Sequence, residues 1–206
     1  MNSNKTKPLV IQLLGQARAG KDTTATQLKL YYESIGKSVE ILSYAAPMKQ
    51  IAATLFGISL EQLDDYKNCA NTVSIEVYNN GETEESYQGH SFLFELDFRT
   101  VLQRLGNEAI KPLFGDAVWA NLAQQHINQS SADIIIIPDC RFLVELQAVG
   151  GVTIRIVNNS LPPPMNHASE LELADTLCMY MLDNTNYQAT TAEFITLAKQ
   201  ILEEQI

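Results

Sequence analysis

The chain has 206 residues, three cysteines and a formal net charge of −10, the size of one domain with room for a small insertion. Such acidity excludes nonspecific nucleic-acid binding, which needs a basic face, but not a nucleotide held by a few placed cations. Cys69, Cys140 and Cys178 are too few and too widely spaced for a disulfide framework or a metal motif. A short polar segment at 1–7 and the lack of a long apolar run set the expectation of a cytoplasmic protein with no membrane partner.

The apolar run Leu9-Val10-Ile11-Gln12-Leu13-Leu14 reads as a strand, followed by Gly15-Gln16-Ala17-Arg18-Ala19-Gly20-Lys21-Asp22-Thr23-Thr24. Ala25, Leu28, Tyr31, Tyr32 and Ile35 then fall at helical spacing, with Gly36 as a stop. Strand, glycine-rich turn and helix is the context a phosphate-binding loop requires. Glycines let successive N–H groups turn inward onto phosphate oxygens, and the helix N-terminus adds partial positive charge. Gly15, Ala19, Gly20, Lys21, Asp22, Thr23 and Thr24 are the nucleotide-binding set, and Lys21 brings a full charge to the β- and γ-phosphates. Asp22 stands where such loops usually have a Ser or Thr for magnesium. That role passes to Thr23 or Thr24, with Thr23 favoured.

A second strand is expected at 37–44, then a helix with Pro47 in its first turn and a stripe of Met48, Ile51, Ala52, Leu55 and Phe56. Ser59 and Gln62 form a capping-box pattern. Segment 66–97 breaks the helical period: 73–78 and 92–98 alternate like strands around Asn79-Asn80-Gly81, so an inserted lobe or hairpin is expected. Helical period returns with Val101, Leu102, Leu105, Ala109 and Ile110, and again beyond Gly115 with Asp116 as cap and Val118, Trp119, Leu122, Ala123 and His126 on its faces. Asp133-Ile134-Ile135-Ile136-Ile137-Pro138-Asp139 is the run of a strand covered on both faces. Its terminal acid, Asp139, falls at the ligand edge of an open α/β sheet, where phosphate-loop enzymes hold magnesium. A short helix at 142–149, a strand at 152–157, a Pro-rich loop, a short helix at 168–174, a strand at 176–182 and a last helix complete the chain. The alternation predicts an α/β fold with a five-stranded parallel sheet covered on both faces.

Phosphoryl transfer needs positive charge over the migrating group. Arg18 lies inside the loop, and Arg141 lies two residues past Asp139. Lys49 follows the second strand, and Arg99 and Gln103 share a helix face, a guanidinium with an amide suited to a monophosphate and a base edge. Arg141 and Glu145 also have the spacing of a helix-surface ion pair, and Glu170 has that of a first-turn acid. No Ser/His/Asp or Cys/His constellation stands out as a nucleophilic catalyst.

Gly-x4-Gly-Lys21-Asp22-Thr23 resembles the phosphate loop of the deoxynucleoside monophosphate kinases of tailed bacteriophages, P-loop kinases of the nucleoside monophosphate kinase family. So do Tyr44-Ala45-Ala46-Pro47-Met48-Lys49 and Arg99-Thr100-Val101-Leu102-Gln103-Arg104-Leu105-Gly106-Asn107-Glu108 with Trp119 downstream. Asp139-Cys140-Arg141-Phe142 with Glu145, then His167-Ala168-Ser169-Glu170 and Leu182-Asp183-Asn184, complete an ordered series. The resemblance implies a single three-layer P-loop kinase domain with an inserted β-excursion at 66–97. It implies ATP and magnesium as cofactors and phosphoryl transfer to a deoxynucleoside monophosphate, in a host cytoplasm if the chain is phage-encoded. Lys21, Arg141 and Arg18 would be catalytic, Thr23 and Asp139 would hold the metal, and Lys49, Arg99, Gln103, Trp119 and Glu170 would bind the acceptor. A homodimer stays open. The family's usual Thr is replaced by Asn107, and segment 66–97 lacks an arginine-rich lid. A phosphomevalonate kinase-like enzyme and a nucleotide-binding switch are the alternatives.

Overall fold

The computed structural model describes residues 7–68, 72–78, 91–162, 173 and 176–205. The expected turn at Asn79-Asn80-Gly81, Cys69, and the His167-Ala168-Ser169-Glu170 stretch with its short helix lie outside the described residues. The chain divides into two compact units, Met1–Ala45 with Asp116–Ile206, and Ala46–Gly115.

Elements in chain order begin with β1 (Leu9–Leu14), α1 (Lys21–Ser34) and β2 (Val39–Ile41). The second unit carries α2 (Ala46–Phe56), α3 (Leu60–Asn68), β3 (Thr72–Tyr78), β4 (Ser91–Asp97), α4 (Phe98–Arg104), a π-helical stretch (Leu105–Ile110) and α5 (Lys111–Phe114). The first unit resumes with α6 (Val118–Gln129), β5 (Ile134–Ile137), α7 (Leu143–Val149), β6 (Val152–Val157), β7 (Tyr180–Asp183), a 3-10 turn (Thr185–Tyr187) and α8 (Thr191–Gln205).

In the first unit the sheet has five strands in the order β2-β5-β1-β6-β7, all parallel. β1 is central, and its alternation feeds two cores. Ile11 and Leu13 join Ala25, Leu28 and Tyr32 of α1 and Phe194, Leu197, Ala198 and Ile201 of α8. Val10 and Leu14 join Ala120, Ala123 and Ile127 of α6 on the other face. Three layers and five parallel strands are what the alternation of elements required.

Two strands are shorter than expected, each because side chains capture the backbone that would extend it. Beyond Ile41, Leu42 still donates to the Ile136 carbonyl at 3.0 Å. Ser43, Tyr44 and Ala45 then turn onto the Asp139 carboxylate. Ahead of Tyr180, the Thr176 and Leu173 carbonyls accept from the Arg155 guanidinium, both at 2.7 Å, and Met179 N–H donates to Thr153 Oγ1 at 3.0 Å. Arg155, which periodicity leaves on an exposed strand face, thus ties a loop to β6. Helix α6 begins at Ala117 with no side-chain cap, so Asp116 does not cap it as the sequence suggested.

The second unit has its own small core of Ala52, Ala53, Leu63, Phe98 and Leu102. Phe98 stacks on Tyr66 at 5.4 Å and meets Phe56 edge-on at 5.3 Å. The Ser59–Gln62 capping box forms, with reciprocal bonds of 2.9 and 3.1 Å. β3 and β4 pair antiparallel from Thr72 opposite Asp97 to Tyr78 opposite Ser91. Asp97 ends β4 by capping α4: its carboxylate accepts from Thr100 N–H at 2.9 Å and Thr100 Oγ1 at 2.6 Å, which lowers its pKa. Where α4 passes into π-helical bonding at Leu105–Ile110, the wider turn breaks the 3.6-residue stripe, and Ala109 is exposed.

Among the described residues no helix is long and apolar enough to cross a membrane. Leu28 is fully buried and Leu55 is 69% exposed. Leu28→Ala should therefore cost about 3 kcal/mol in chemical denaturation, and Leu55→Ala less than about 0.5 kcal/mol. Equal costs would contradict the assignment of the core.

Candidate functional site

The C-terminal edge of the parallel sheet gathers the predicted residues of the first unit. Register places Gln12 beside Ile137 and Leu14 beside Arg155. The loop after β1 therefore leaves the sheet between the ends of β5 and β6, the position at which open α/β sheets bind ligands.

Gly15 opens the loop at φ 142°, where a Cβ would collide with the Ile156 carbonyl. Arg18 is exposed and holds φ 67°, left-handed backbone that a non-glycine residue adopts only when its surroundings require it. Ala19 belongs to the core below at 1% exposed, and its N–H donates to the Gln16 carbonyl at 3.1 Å. Gly20 turns the chain at φ 100° into α1. Lys21 is the first helical residue, with its stem buried and its ammonium donating to the carbonyls of Gly15 at 2.6 Å and Gln16 at 2.8 Å. The charge thus lies across the mouth of the loop.

Asp22 and Thr23 are exposed in the first turn of α1. Thr24 is fully buried, its hydroxyl donating to the Gly20 carbonyl at 3.0 Å. Of the two threonines, Thr23 alone presents its side chain to solvent.

Asp139 sits just past β5, level with Leu14 by register. Its Oδ2 accepts from Ser43 Oγ at 2.6 Å and Ala45 N–H at 3.0 Å, and its Oδ1 accepts from Tyr44 N–H at 3.0 Å. Both oxygens are engaged in shaping the chain after β2, which sequence spacing did not suggest. Tyr44, turned inward by that bend, donates to Gln12 Oε1 at 2.8 Å and lies 3.1 Å from the Glu145 carbonyl. Gln12 is fully buried in the middle of β1 and donates to Gly150 O at 2.7 Å. Burial, then the nearby Cys140, Glu145 and Asp139, push the Tyr44 phenol far above its ordinary value, and burial, then Glu145, Asp139 and Cys178, do the same for the Cys140 thiol. Neither is a base near neutral pH.

Arg141 is half-buried, and Glu145 is 5% exposed. The Glu145 carboxylate accepts from the backbone N–H groups of Arg141 at 2.9 Å and Phe142 at 3.1 Å. Glu145, expected on the helix surface, is a buried carboxylate that fixes the Arg141 backbone at the start of α7. Trp119 is 7% exposed, which leaves little indole surface for a ligand.

In the second unit, Arg99 and Gln103 are both exposed on α4. Lys49 pairs with Asp64 at 2.6 Å. Arg104 and Glu108 approach to 4.0 Å across the junction with the π-helical stretch. Glu170 lies outside the described residues.

Asn184, which the sequence offered only as the end of a strand, touches the loop directly. Its Nδ2 donates to the Ala19 carbonyl at 2.9 Å. Gln16 also reaches across, with Nε2 donating to the Pro162 carbonyl at 2.6 Å. Neither contact has a periodic signature, because each depends on two loops meeting at the C-terminal edge of the sheet. Among the described residues no group of three His, Cys, Asp or Glu side chains is placed to hold a metal ion.

No protein-family model matches this chain. No curated protein matches it either. Solved structures similar to it include APE1195, at 14% identity with a TM-score of 0.42 over 96% of both chains. A sugar kinase from Janibacter sp. HTCC2649, without ligand, is 13% identical with a TM-score of 0.41 over 95% of both chains. Likeness this distant carries no argument about the site, whose reading rests on its own residues.

Gly15→Ala should cost more than about 1 kcal/mol in unfolding free energy, since both the backbone angle and the Ile156 carbonyl oppose a methyl group. Undiminished stability in thermal or denaturant unfolding would show that the loop does not take this form.

Proposed function

We propose that the chain transfers the γ-phosphoryl group of ATP to a deoxynucleoside monophosphate, giving ADP and the deoxynucleoside diphosphate. The observation that carries this reading is the loop from Gly15 to Lys21 at the end of the central strand, with the Lys21 ammonium lying over it. An ammonium held by two carbonyls is already desolvated and placed, so it can exchange those partners for β- and γ-phosphate oxygens with little reorganisation. The amides at the start of α1 and the positive end of that helix add to it.

An oxygen of the acceptor phosphate attacks the γ-phosphorus, and the bond to the β-phosphate oxygen breaks as ADP leaves. The attacking phosphate oxygen needs no protein nucleophile. The protein's work is to place the two anions and offset their charge, which falls to Lys21, Arg18 and Arg141. Arg99 and Gln103 offer a guanidinium and an amide to the acceptor phosphate and base.

Magnesium takes few protein ligands and keeps several waters. The exposed Thr23 hydroxyl fits as a direct donor, whereas Asp139, with both oxygens engaged, fits as a carboxylate acting through water. A magnesium ion held by Thr23 and Asp139 would supply positive charge to offset that of the phosphates.

An assay coupled to ADP release, run with each deoxynucleoside monophosphate, each ribonucleotide and phosphomevalonate, tests the reading. Turnover is expected with at least one deoxynucleoside monophosphate. Arg99→Ala should lower kcat/KM for that acceptor by roughly a hundredfold or more while ATP affinity is kept. Turnover with phosphomevalonate alone, or ATP binding with no turnover, would overturn it.

A further inference from the structure

Asn184 follows β7 and is 5% exposed. It is held at four points. Its N–H donates to Val157 O at 2.7 Å, and its carbonyl accepts from Tyr187 N–H at 2.9 Å. Its Oδ1 accepts from Ala189 N–H at 3.3 Å, and its Nδ2 donates to Ala19 O at 2.9 Å. Nδ2 also fills the space beside Gly20, where a Cβ would collide with it.

The consequence follows from peptide geometry. Ala19 C=O and Gly20 N–H belong to one planar trans unit and point in opposite directions. A donor that holds the Ala19 oxygen on the β7 side turns the Gly20 N–H away from that side. Gly20, at φ 100° and without a side chain, is the residue of the loop least able to fix this peptide by itself. Without an outside lock, the unit can rotate and offer its carbonyl where an N–H is needed.

We infer that Asn184 is a positioning residue that locks the Ala19–Gly20 peptide so that the Gly20 N–H donates to the polyphosphate. The inference rests on the phosphate-loop reading above. It adds that affinity for the polyphosphate is set partly from the loop after β7, by a side chain that touches no ligand. The close fit against Gly20 joins the two: a larger residue at position 20 would displace the amide, and a non-donor at position 184 would release the peptide.

Asn184→Asp separates this role from packing. The carboxylate has the amide's shape and still accepts from Ala189, but it cannot donate to the Ala19 oxygen. Binding of inorganic tripolyphosphate with magnesium, followed by calorimetry, should weaken tenfold or more in Asn184→Asp. The apparent KM for ATP should rise correspondingly, and the KM for the acceptor should stay within twofold. In the wild-type protein, the Gly20 amide resonance should shift on adding tripolyphosphate, a measurement that needs no variant to fold. Tripolyphosphate affinity within twofold of wild type in folded Asn184→Asp would overturn the inference and leave the kinase reading standing. So would a Gly20 resonance that stays still while those of Lys21 and Thr23 move. A wild-type protein that binds no tripolyphosphate would overturn both.

Discussion

The Lys21 ammonium, bonded to the carbonyls of Gly15 and Gln16, closes a ring of backbone at the end of the central strand. Much of the first unit serves to hold that ring in place. Ala19 anchors it in the core under α1 and α8. Gly15 lets it pass close to the Ile156 carbonyl, and Thr24 ties the first turn of α1 back to Gly20. A loop of flexible residues is thereby made rigid from below, which favours binding a fixed arrangement of oxygens over adapting to many.

On the other face of β1, a polar network does comparable work. Gln12, Tyr44, the Glu145 backbone and Gly150 satisfy one another in the interior, and Asp139 draws 43–45 around the strand end. Buried polar groups are costly unless paired, so this chain of bonds gives the edge a single arrangement. It also explains why β2 stops early: residues 43–45 are committed to a carboxylate rather than to a ladder. Glu145 does the same for the backbone at Arg141. Acids in this unit thus shape backbone at the sheet edge, and the positive charge at that edge comes from Lys21 and the arginines.

The sheet and its two layers were legible in the sequence because they depend on local signals. The Ile134-Ile135-Ile136-Ile137 run, the alternation of β1 and the spacing of Phe194, Ala198 and Ile201 each report burial over a few residues. The turn at Gly15 to Lys21 was legible for a similar reason, since glycine, lysine and helix start lie adjacent. What escaped were contacts between residues far apart in the chain. Asn184 against Ala19 and Asp139 against Ser43 join different strand ends, Arg155 against Leu173 joins a strand to a loop, and no periodicity encodes them. The stripe through Ala109 failed differently: the shift to π-helical bonding at Leu105 alters the period itself. The i, i+4 rule was incomplete for Glu145, because it compares side chains and cannot report that the carboxylate also bonds to backbone amides.

A crystal structure with a non-hydrolysable ATP analogue and magnesium tests the central claim most directly. The β- and γ-phosphates are expected inside the Gly15–Lys21 turn, with Lys21 Nζ released from the loop carbonyls onto phosphate oxygens. A triphosphate bound elsewhere, or a Lys21 still bonded to Gly15 and Gln16 beside an empty turn, would contradict it.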